Sequence, residues 1–381
     1  MSAPLVIVGL SGGVDSAVSA HLLLEAGYRV EGLHMTNWEA DDGYCTRVDD
    51  EAEAAAVAEH LGIVLHRANF TREYREEVFA DFLAEYRAGR TPNPDVPCNR
   101  HIKFDAFFSW ARRLGADAIA TGHYARVEDI AGRPGLATAQ DRNKDQTYFL
   151  HAVPGSALAR TLFPLGDLSK PEVRDIARRI GLPNHARKDS TGICFIGERP
   201  FREFLAEYLP ASPGDFVDTA GLKVGRHDGL HFYTFGQRGG LGIGGVAGKA
   251  DAPWYIIGKD YDRNRLIVAQ DPNHPRGMTT ALKADRLHWI AGKAPPAPAR
   301  VQLRVRYRQT PVEATLESVG KQSMQLRLAQ PLRAVTPGQY AVLYAGDLCL
   351  GGGRIIARTT LADGAEPVRA DAVASRTGNG R

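Results

Sequence analysis

Cysteine is scarce in this chain: four residues (Cys45, Cys98, Cys194 and Cys349) in 381. That is too few for a disulfide scaffold. None form C-x-x-C, which argues against a zinc site and leaves a reducing, cytoplasmic compartment as the default. No apolar run reaches the roughly twenty residues needed to span a bilayer, so no membrane partner is expected. The N-terminus runs straight into a strand-like segment, and a signal peptide is not expected. The two most familiar phosphate loops are missing as well. No lysine follows the first glycines as G-x-x-x-x-G-K-S/T requires, and Gly9, Gly12 and Gly13 do not fit G-x-G-x-x-G. What remains is 44% hydrophobic and 24% charged with a net charge of +3, the composition of a soluble globular protein. The length suggests two or three domains.

The stretch Leu10-Ser11-Gly12-Gly13-Val14-Asp15-Ser16 organises the rest. It follows the β-branched run Leu5-Val6-Ile7-Val8 and precedes a helical segment that stops at Gly27. A strand, a glycine turn and a helix N-terminus make an anion site: the glycines let backbone N–H groups approach a phosphate, and Ser11 and Ser16 add hydroxyls. Asp15 is the odd member. A carboxylate beside phosphates needs a bridging cation, most simply Mg²⁺. The string resembles the PP-loop of the ATP pyrophosphatase superfamily, whose members cleave ATP between its α- and β-phosphates and adenylate an acceptor.

Residues 1–125 alternate strand and helix patterns, with strands expected at Tyr28–Met35, Ile63–Leu65 and Ala116–Ala120. This order predicts an α/β fold with a doubly wound parallel sheet whose ligands lie at the strand carboxyl ends. Met35 and Gly122 occupy two such ends. Ser169 and Glu172 predict a capping box opening a helix. The expected division is a catalytic domain over 1–209, a small central β-rich domain over 210–291, a C-terminal antiparallel β-barrel over 299–357 and a disordered tail over 358–381. Leu230–Tyr233 reads as a strand of the central region. Residues 300–358 carry nine basic residues against three acidic ones. Arg304, Arg306 and Arg308 alternate with Val301, Leu303, Val305 and Tyr307, which predicts one arginine-bearing strand face suited to a phosphate backbone.

Two cysteine segments stand out. In Thr91-Pro92-Asn93-Pro94-Asp95-Val96-Pro97-Cys98-Asn99 the prolines stiffen a loop that leads into a helix, so Cys98 falls in a first turn, where the dipole favours a thiolate. Asp95 is near enough to serve as acid or base. Cys194 has apolar flanks, which by themselves favour a buried, inert thiol. Cys45 and Cys349 read as structural, and Lys144-Asp145-Gln146 reads as a solvated loop. These residues leave three functions open: an RNA-modifying PP-loop enzyme, another AMP-forming PP-loop transferase or ligase acting on a small acid or amide, and a non-catalytic RNA-binding module.

Taken together, Gly9–Ser16, Thr91–Asp95 with Cys98-Asn99, Thr121-Gly122-His123-Tyr124, Lys144–Phe149 and Gly192–Gly197 resemble the bacterial tRNA-specific 2-thiouridylases, to about residue 357. The resemblance implies an adenine nucleotide α-hydrolase-like catalytic domain that thiolates C2 of the wobble uridine in tRNA anticodons. It places ATP on Gly9, Leu10, Ser11, Gly12, Gly13, Val14, Asp15, Ser16, Met35 and Gly122. It places the target base on Asn93, Pro94 and Asp95, with Asp95 as acid/base. It assigns tRNA contacts to Lys144, Asp145, Gln146, Arg306 and Tyr307. It makes Cys194 the persulfide carrier and Cys98 the partner nucleophile, joined by a transient disulfide, with a persulfide sulfur donor or relay protein as a further partner.

Overall fold

The computed structural model describes residues 3–39, 47–188 and 201–363. Cys45 and Cys194, and the persulfide role expected of Cys194, lie outside the described residues. β1 (Leu5–Gly9) is apolar and buried at every position, as a central strand covered on both faces must be. It leads into helix α1 (Val14–Glu25), then β2 (Arg29–Thr36), helix α2 (Arg47–Leu61) and β3 (Leu65–Asn69). β4 (Ala118–Ala120) follows, then a hairpin of β5 (Ala125–Asp129) and β6 (Pro134–Thr138), and the short β7 (Thr161–Leu162). The parallel sheet has the order β3-β2-β1-β4-β7. The chain winds outward from β1 through β2 to β3, then returns to the other side of β1 as β4. The β1/β4 boundary is therefore the switch point at which such sheets bind ligands. β3 starts two residues later than expected, because Ile63 and Val64 form the connection after Gly62 and Val64 stays exposed.

The central region holds β8 (Gly214–Val217), β9 (Lys223–His227), β10 (Tyr255–Asp260) and β11 (Arg265–Ala269), ordered β10-β11-β8-β9 around Phe216, Tyr233, Trp254 and Leu266. The strand expected at Leu230–Tyr233 is instead a 3₁₀ turn over Leu230–Phe232, entered through Gly229 at φ +155°.

The barrel is built from β12 (Met278–Trp289), β13 (Ala299–Arg304), β14 (Val312–Val319), β15 (Ser323–Arg333), β16 (Tyr340–Ala345) and β17 (Leu348–Thr360). Pairing of β12 with β17 closes it, removing free edges, and Leu282, Leu303, Leu316, Leu326, Leu343 and Ile355 fill its interior. Three sequence expectations change here. β12 is a barrel strand although the central region was expected to extend to 291. β17 continues to Thr360, so the tail does not begin at 358. The arginine-bearing strand ends at Arg304. Arg304 turns inward and is 6% exposed, while Arg306 is exposed on the turn that follows and Arg308 adopts φ +60°. Strict alternation fails because the strand stops where the turn begins.

The β5/β6 hairpin of the N-terminal region also pairs with barrel strand β17, placing Leu136 against Cys349. The resulting burial pushes the Cys349 thiol up to about 12, consistent with a structural role for this cysteine.

Candidate active site

Between β1 and α1 the backbone of Leu10–Gly13 makes a tight turn, in the stretch read from the sequence as a phosphate loop. Gly12 lies at φ +78°, a left-handed conformation that favours glycine, and a Cβ there would come within 2.6 Å of the Asp50 carbonyl. Gly13 is the N-cap of α1, which leaves the first-turn N–H groups, of the kind that favour an anion, without a capping side chain. The Ser16 hydroxyl donates to the Gly13 carbonyl at 3.0 Å and accepts from the Ser11 N–H at 3.3 Å, fixing the turn. Met35, near the end of β2, puts its methyl 3.3 Å from where a Gly9 Cβ would be. Gly122, after β4, packs on the loop itself: a Cβ would stand 2.7 Å from the Ser16 nitrogen. Close approach to Ser16, rather than an ordinary turn, requires glycine at 122.

Asp15 is paired with a lysine from a distant segment. Lys170 Nζ lies 2.7 and 2.9 Å from the two Asp15 oxygens, and the Tyr124 hydroxyl donates to Oδ1 at 3.0 Å. Lys170 is held at the start of the Lys170–Arg179 helix by the Ser169/Glu172 capping box. Composition and periodicity point to that helix but give no sign that its first residue reaches the phosphate loop. Asn184 and Arg187 also brace the loop, donating to the Gly12 carbonyl at 2.8 and 3.1 Å, and Arg187 bridges to Asp50 of α2. These long-range contacts have no local sequence signal.

The loop at 91–99 is anchored from two sides. Gln339 Nε2 donates to the Thr91 carbonyl at 2.8 Å, and the Thr234 hydroxyl donates to the Thr91 hydroxyl at 2.8 Å. Lys259 Nζ and the Tyr261 hydroxyl donate to the Gly89 carbonyl at 3.2 and 2.9 Å. Asn93 accepts the Asp95 N–H at 3.1 Å, an Asx turn that starts the helix. Asn93, Pro94 and Pro97 line a small pocket, open to solvent, shared with Glu85, Tyr340 and Arg354. Pro97 falls in the first turn as expected. Cys98 comes next, 1% exposed, and opens a nine-residue π-helical segment to Ala106, a distortion that often marks functional sites.

Hydrogen bonds tie the nucleotide loop to the cysteine loop. Tyr124, bonded to Asp15, donates its N–H to the Gln146 side chain at 2.9 Å; the Gln146 carbonyl accepts from Phe149; and the Phe149 carbonyl accepts from Asn99 at 3.3 Å. Tyr307 packs on the Phe149 ring at 4.5 Å, so the Arg306-Tyr307 turn borders the same region. Asp145 does not behave as expected of a tRNA contact. Its side chain is fully buried, accepts from Thr147 and the Ala139 N–H, and pairs with Arg304. It braces the barrel against the catalytic region. His123, adjacent to Gly122, is buried beside Phe104 and bonded to Thr121 at 2.8 Å; burial, then Lys103, holds its pKa well below the usual imidazole value. Among the described residues no group of three His, Cys, Asp or Glu side chains could hold a metal, and no helix is long and apolar enough to cross a membrane.

Residues 5–198 match the family model of the tRNA methyl transferase HUP domain, 202–270 the PRC-barrel domain of that family, and 279–355 the aminomethyltransferase β-barrel domain. The chain is 56% identical over 352 residues to the tRNA-specific 2-thiouridylase MnmA of Pseudomonas aeruginosa (strain UCBPP-PA14), covering 92% of this chain and 94% of that protein. It is 55% identical over 359 residues to the corresponding protein of Sodalis glossinidius, covering 93% and 97%. A solved U34-tRNA thiolase NcsA from Methanococcus maripaludis is 21% identical, with a TM-score of 0.33, covering 54% of this chain and 63% of that chain. With its three regions matched by the family models and 55–56% identity to the Pseudomonas aeruginosa and Sodalis glossinidius proteins over nine-tenths of its length, the chain belongs to the tRNA-specific 2-thiouridylase family.

Proposed function

We propose that this protein is an ATP-dependent tRNA-uridine 2-sulfurtransferase that replaces O2 of the wobble uridine with sulfur. The observation that carries this reading is the hydrogen-bonded path from the Asp15 loop through Tyr124, Gln146 and Phe149 to Asn99, the residue next to Cys98. It connects the segment read as the AMP-forming site to the segment that carries Cys98, which supports placing both half-reactions in one unit. A small-molecule AMP-transferase needs the first site but leaves the second and the barrel without a role.

The chemistry requires both sites. Uridine O2 is a poor leaving group, and transfer of AMP from ATP makes it a good one. The Gly12-Gly13 backbone and the N-terminus of α1 stabilise the departing pyrophosphate. Lys170 neutralises Asp15. A Mg²⁺ ion, which takes one or two carboxylates together with substrate phosphates, suits Asp15 and would supply further charge neutralisation there. Asn93, Pro94 and Asp95 meet the target base, which leaves the anticodon stack to reach them, and Asp95 handles the proton. The terminal sulfur of a Cys194 persulfide attacks C2 and expels AMP. The Cys98 thiolate then attacks the Cys194 sulfur. This releases 2-thiouridine and leaves a Cys98–Cys194 disulfide, which a two-electron thiol reductant reopens. A separate persulfide donor reloads Cys194. The reducing cytoplasm is the compartment in which this cycle turns over.

The test separates the two half-reactions. Cys98→Ser and Cys194→Ser each stop thiolation with a persulfide donor but leave tRNA-dependent pyrophosphate release intact, whereas Cys349→Ser remains active. Thiolation at the normal rate by Cys194→Ser would remove the relay from the account.

A further inference from the structure

An open cavity of about 450 Å³, counted to its solvent mouth, lies where the central sheet meets the barrel, and three arginines line it: Arg306, Arg333 and Arg358. Phe235, Tyr255 and Ala334 contribute to its walls, and no carboxylate does. Arg306 and Arg333 are exposed and make no side-chain hydrogen bond or ion pair among the described residues. Arg358 is more enclosed. It donates to neutral oxygens only, the Ile257 carbonyl at 2.8 Å, the Arg276 carbonyl at 3.3 Å and the Thr279 hydroxyl at 3.4 Å, and stacks on Phe235 at 4.2 Å. Asp363, whose charge favours the ionised guanidinium, lies outside the cavity lining and is itself bonded to Thr360. Burial pushes the Arg358 guanidinium down to about 10, a sign that its charge is short of compensation. Three guanidiniums around one space, with no carboxylate among the lining residues, give it a positive potential that favours an anion.

The position says which anion. Phe235 follows Thr234, whose hydroxyl bonds Thr91, and Gln339, five residues beyond Ala334, bonds the Thr91 and Pro92 carbonyls. One wall of the cavity is thus fastened to the Asn93-Pro94-Asp95 loop. On the other side, Arg306 precedes Tyr307, which stacks on Phe149 beside Asn99.

We infer that this cavity seats a backbone phosphate of the bound tRNA, on the strand that delivers the target base, with Arg333 and Arg358 completing a clamp begun by Arg306. The inference rests on the tRNA-thiolating reading above. It adds two phosphate ligands, one from β15 and one from β17, that no sequence motif marks. A phosphate contact positions the strand without reading its sequence, so the clamp serves every tRNA alike.

Arg333 is exposed, so its substitution leaves the fold intact. In Arg333→Gln, tRNA affinity at low salt falls about five-fold and the slope of log affinity against log salt drops by roughly 0.7–0.9, the amount one phosphate contributes. The loss is the same for a tRNA without a wobble uridine. Arg333→Lys, which keeps the point charge, keeps the slope. A second arm titrates inorganic phosphate and follows thermal stability. Stabilisation by phosphate in the wild type that vanishes in Arg333→Gln, with the tRNA salt slope unchanged, would make this a free-anion site and overturn the inference. An unchanged slope with no phosphate effect overturns it as well. The wild-type preparation is assayed for 2-thiouridine in parallel. If it forms none, the tRNA-thiolating reading fails; if it forms 2-thiouridine while the slope stays fixed, only the clamp fails.

Discussion

Arg304→Met should be the most damaging single change outside the chemical centre. Arg304 reaches from β13 to Asp145 in the segment that links the nucleotide loop to Cys98. The Arg304 side chain is 7% exposed and that of Asp145 is 0% exposed. Removing the guanidinium leaves the buried carboxylate with the Ala139 N–H at 3.1 Å and the Thr147 hydroxyl at 2.9 Å as its donors among the described residues. Stranding one member of a buried pair costs about 3–5 kcal/mol. Replacing both members costs much less, because no bare charge remains, so Arg304→Met with Asp145→Asn should recover a large part of the loss. Urea unfolding of wild type, both single variants and the double variant measures the cycle. An Arg304→Met variant within about 1 kcal/mol of wild type, or a double variant no more stable than Arg304→Met, would refute the brace.

Three other outcomes follow from the same contacts. Gly122→Ala forces a Cβ to within 2.7 Å of the Ser16 nitrogen, so the phosphate loop must shift; ATP affinity, read by equilibrium binding, should fall at least about ten-fold, or about 1.4 kcal/mol, while tRNA affinity holds. Lys259 donates to the Gly89 carbonyl, and burial lowers its pKa from 10.5 to about 8. The native state therefore binds fewer protons than the unfolded chain between those values, and the stability of wild type relative to Lys259→Met should rise with pH across that window by up to about 3 kcal/mol in urea melts at fixed salt. A flat difference would mean that Lys259 is not desolvated. Asp15→Asn removes the partner of Lys170 beside the phosphates and should cut tRNA-dependent pyrophosphate release at least about 100-fold, a loss of about 2.7 kcal/mol in transition-state stabilisation, with an unchanged circular dichroism spectrum.

Features with a local signal were legible in the sequence. The β-branched run, the two glycines and the helix after them specify the phosphate loop because turn chemistry and periodicity act over a few residues. The Ser169/Glu172 capping box was legible for the same reason. Contacts between distant segments were not. Lys170 reaches Asp15 across 155 residues and Arg304 reaches Asp145 across 159. Period-two alternation put Arg304 on the solvent face because it cannot show that the strand stops there to meet a buried carboxylate. Closure of the barrel by β12 was hidden likewise, since pairing with β17 joins segments some seventy residues apart.

The central claim is that ATP consumption and sulfur insertion occur on one wobble uridine. The most direct measurement incubates the purified protein with ATP, a persulfide donor and unmodified tRNA, then follows the anticodon fragment by mass spectrometry. The expected result is the mass change of one oxygen replaced by sulfur at the wobble uridine, accompanied by AMP and pyrophosphate, and absent when ATP is withheld. Sulfur incorporation without ATP, or ATP cleavage that leaves the wobble uridine unaltered, would contradict it.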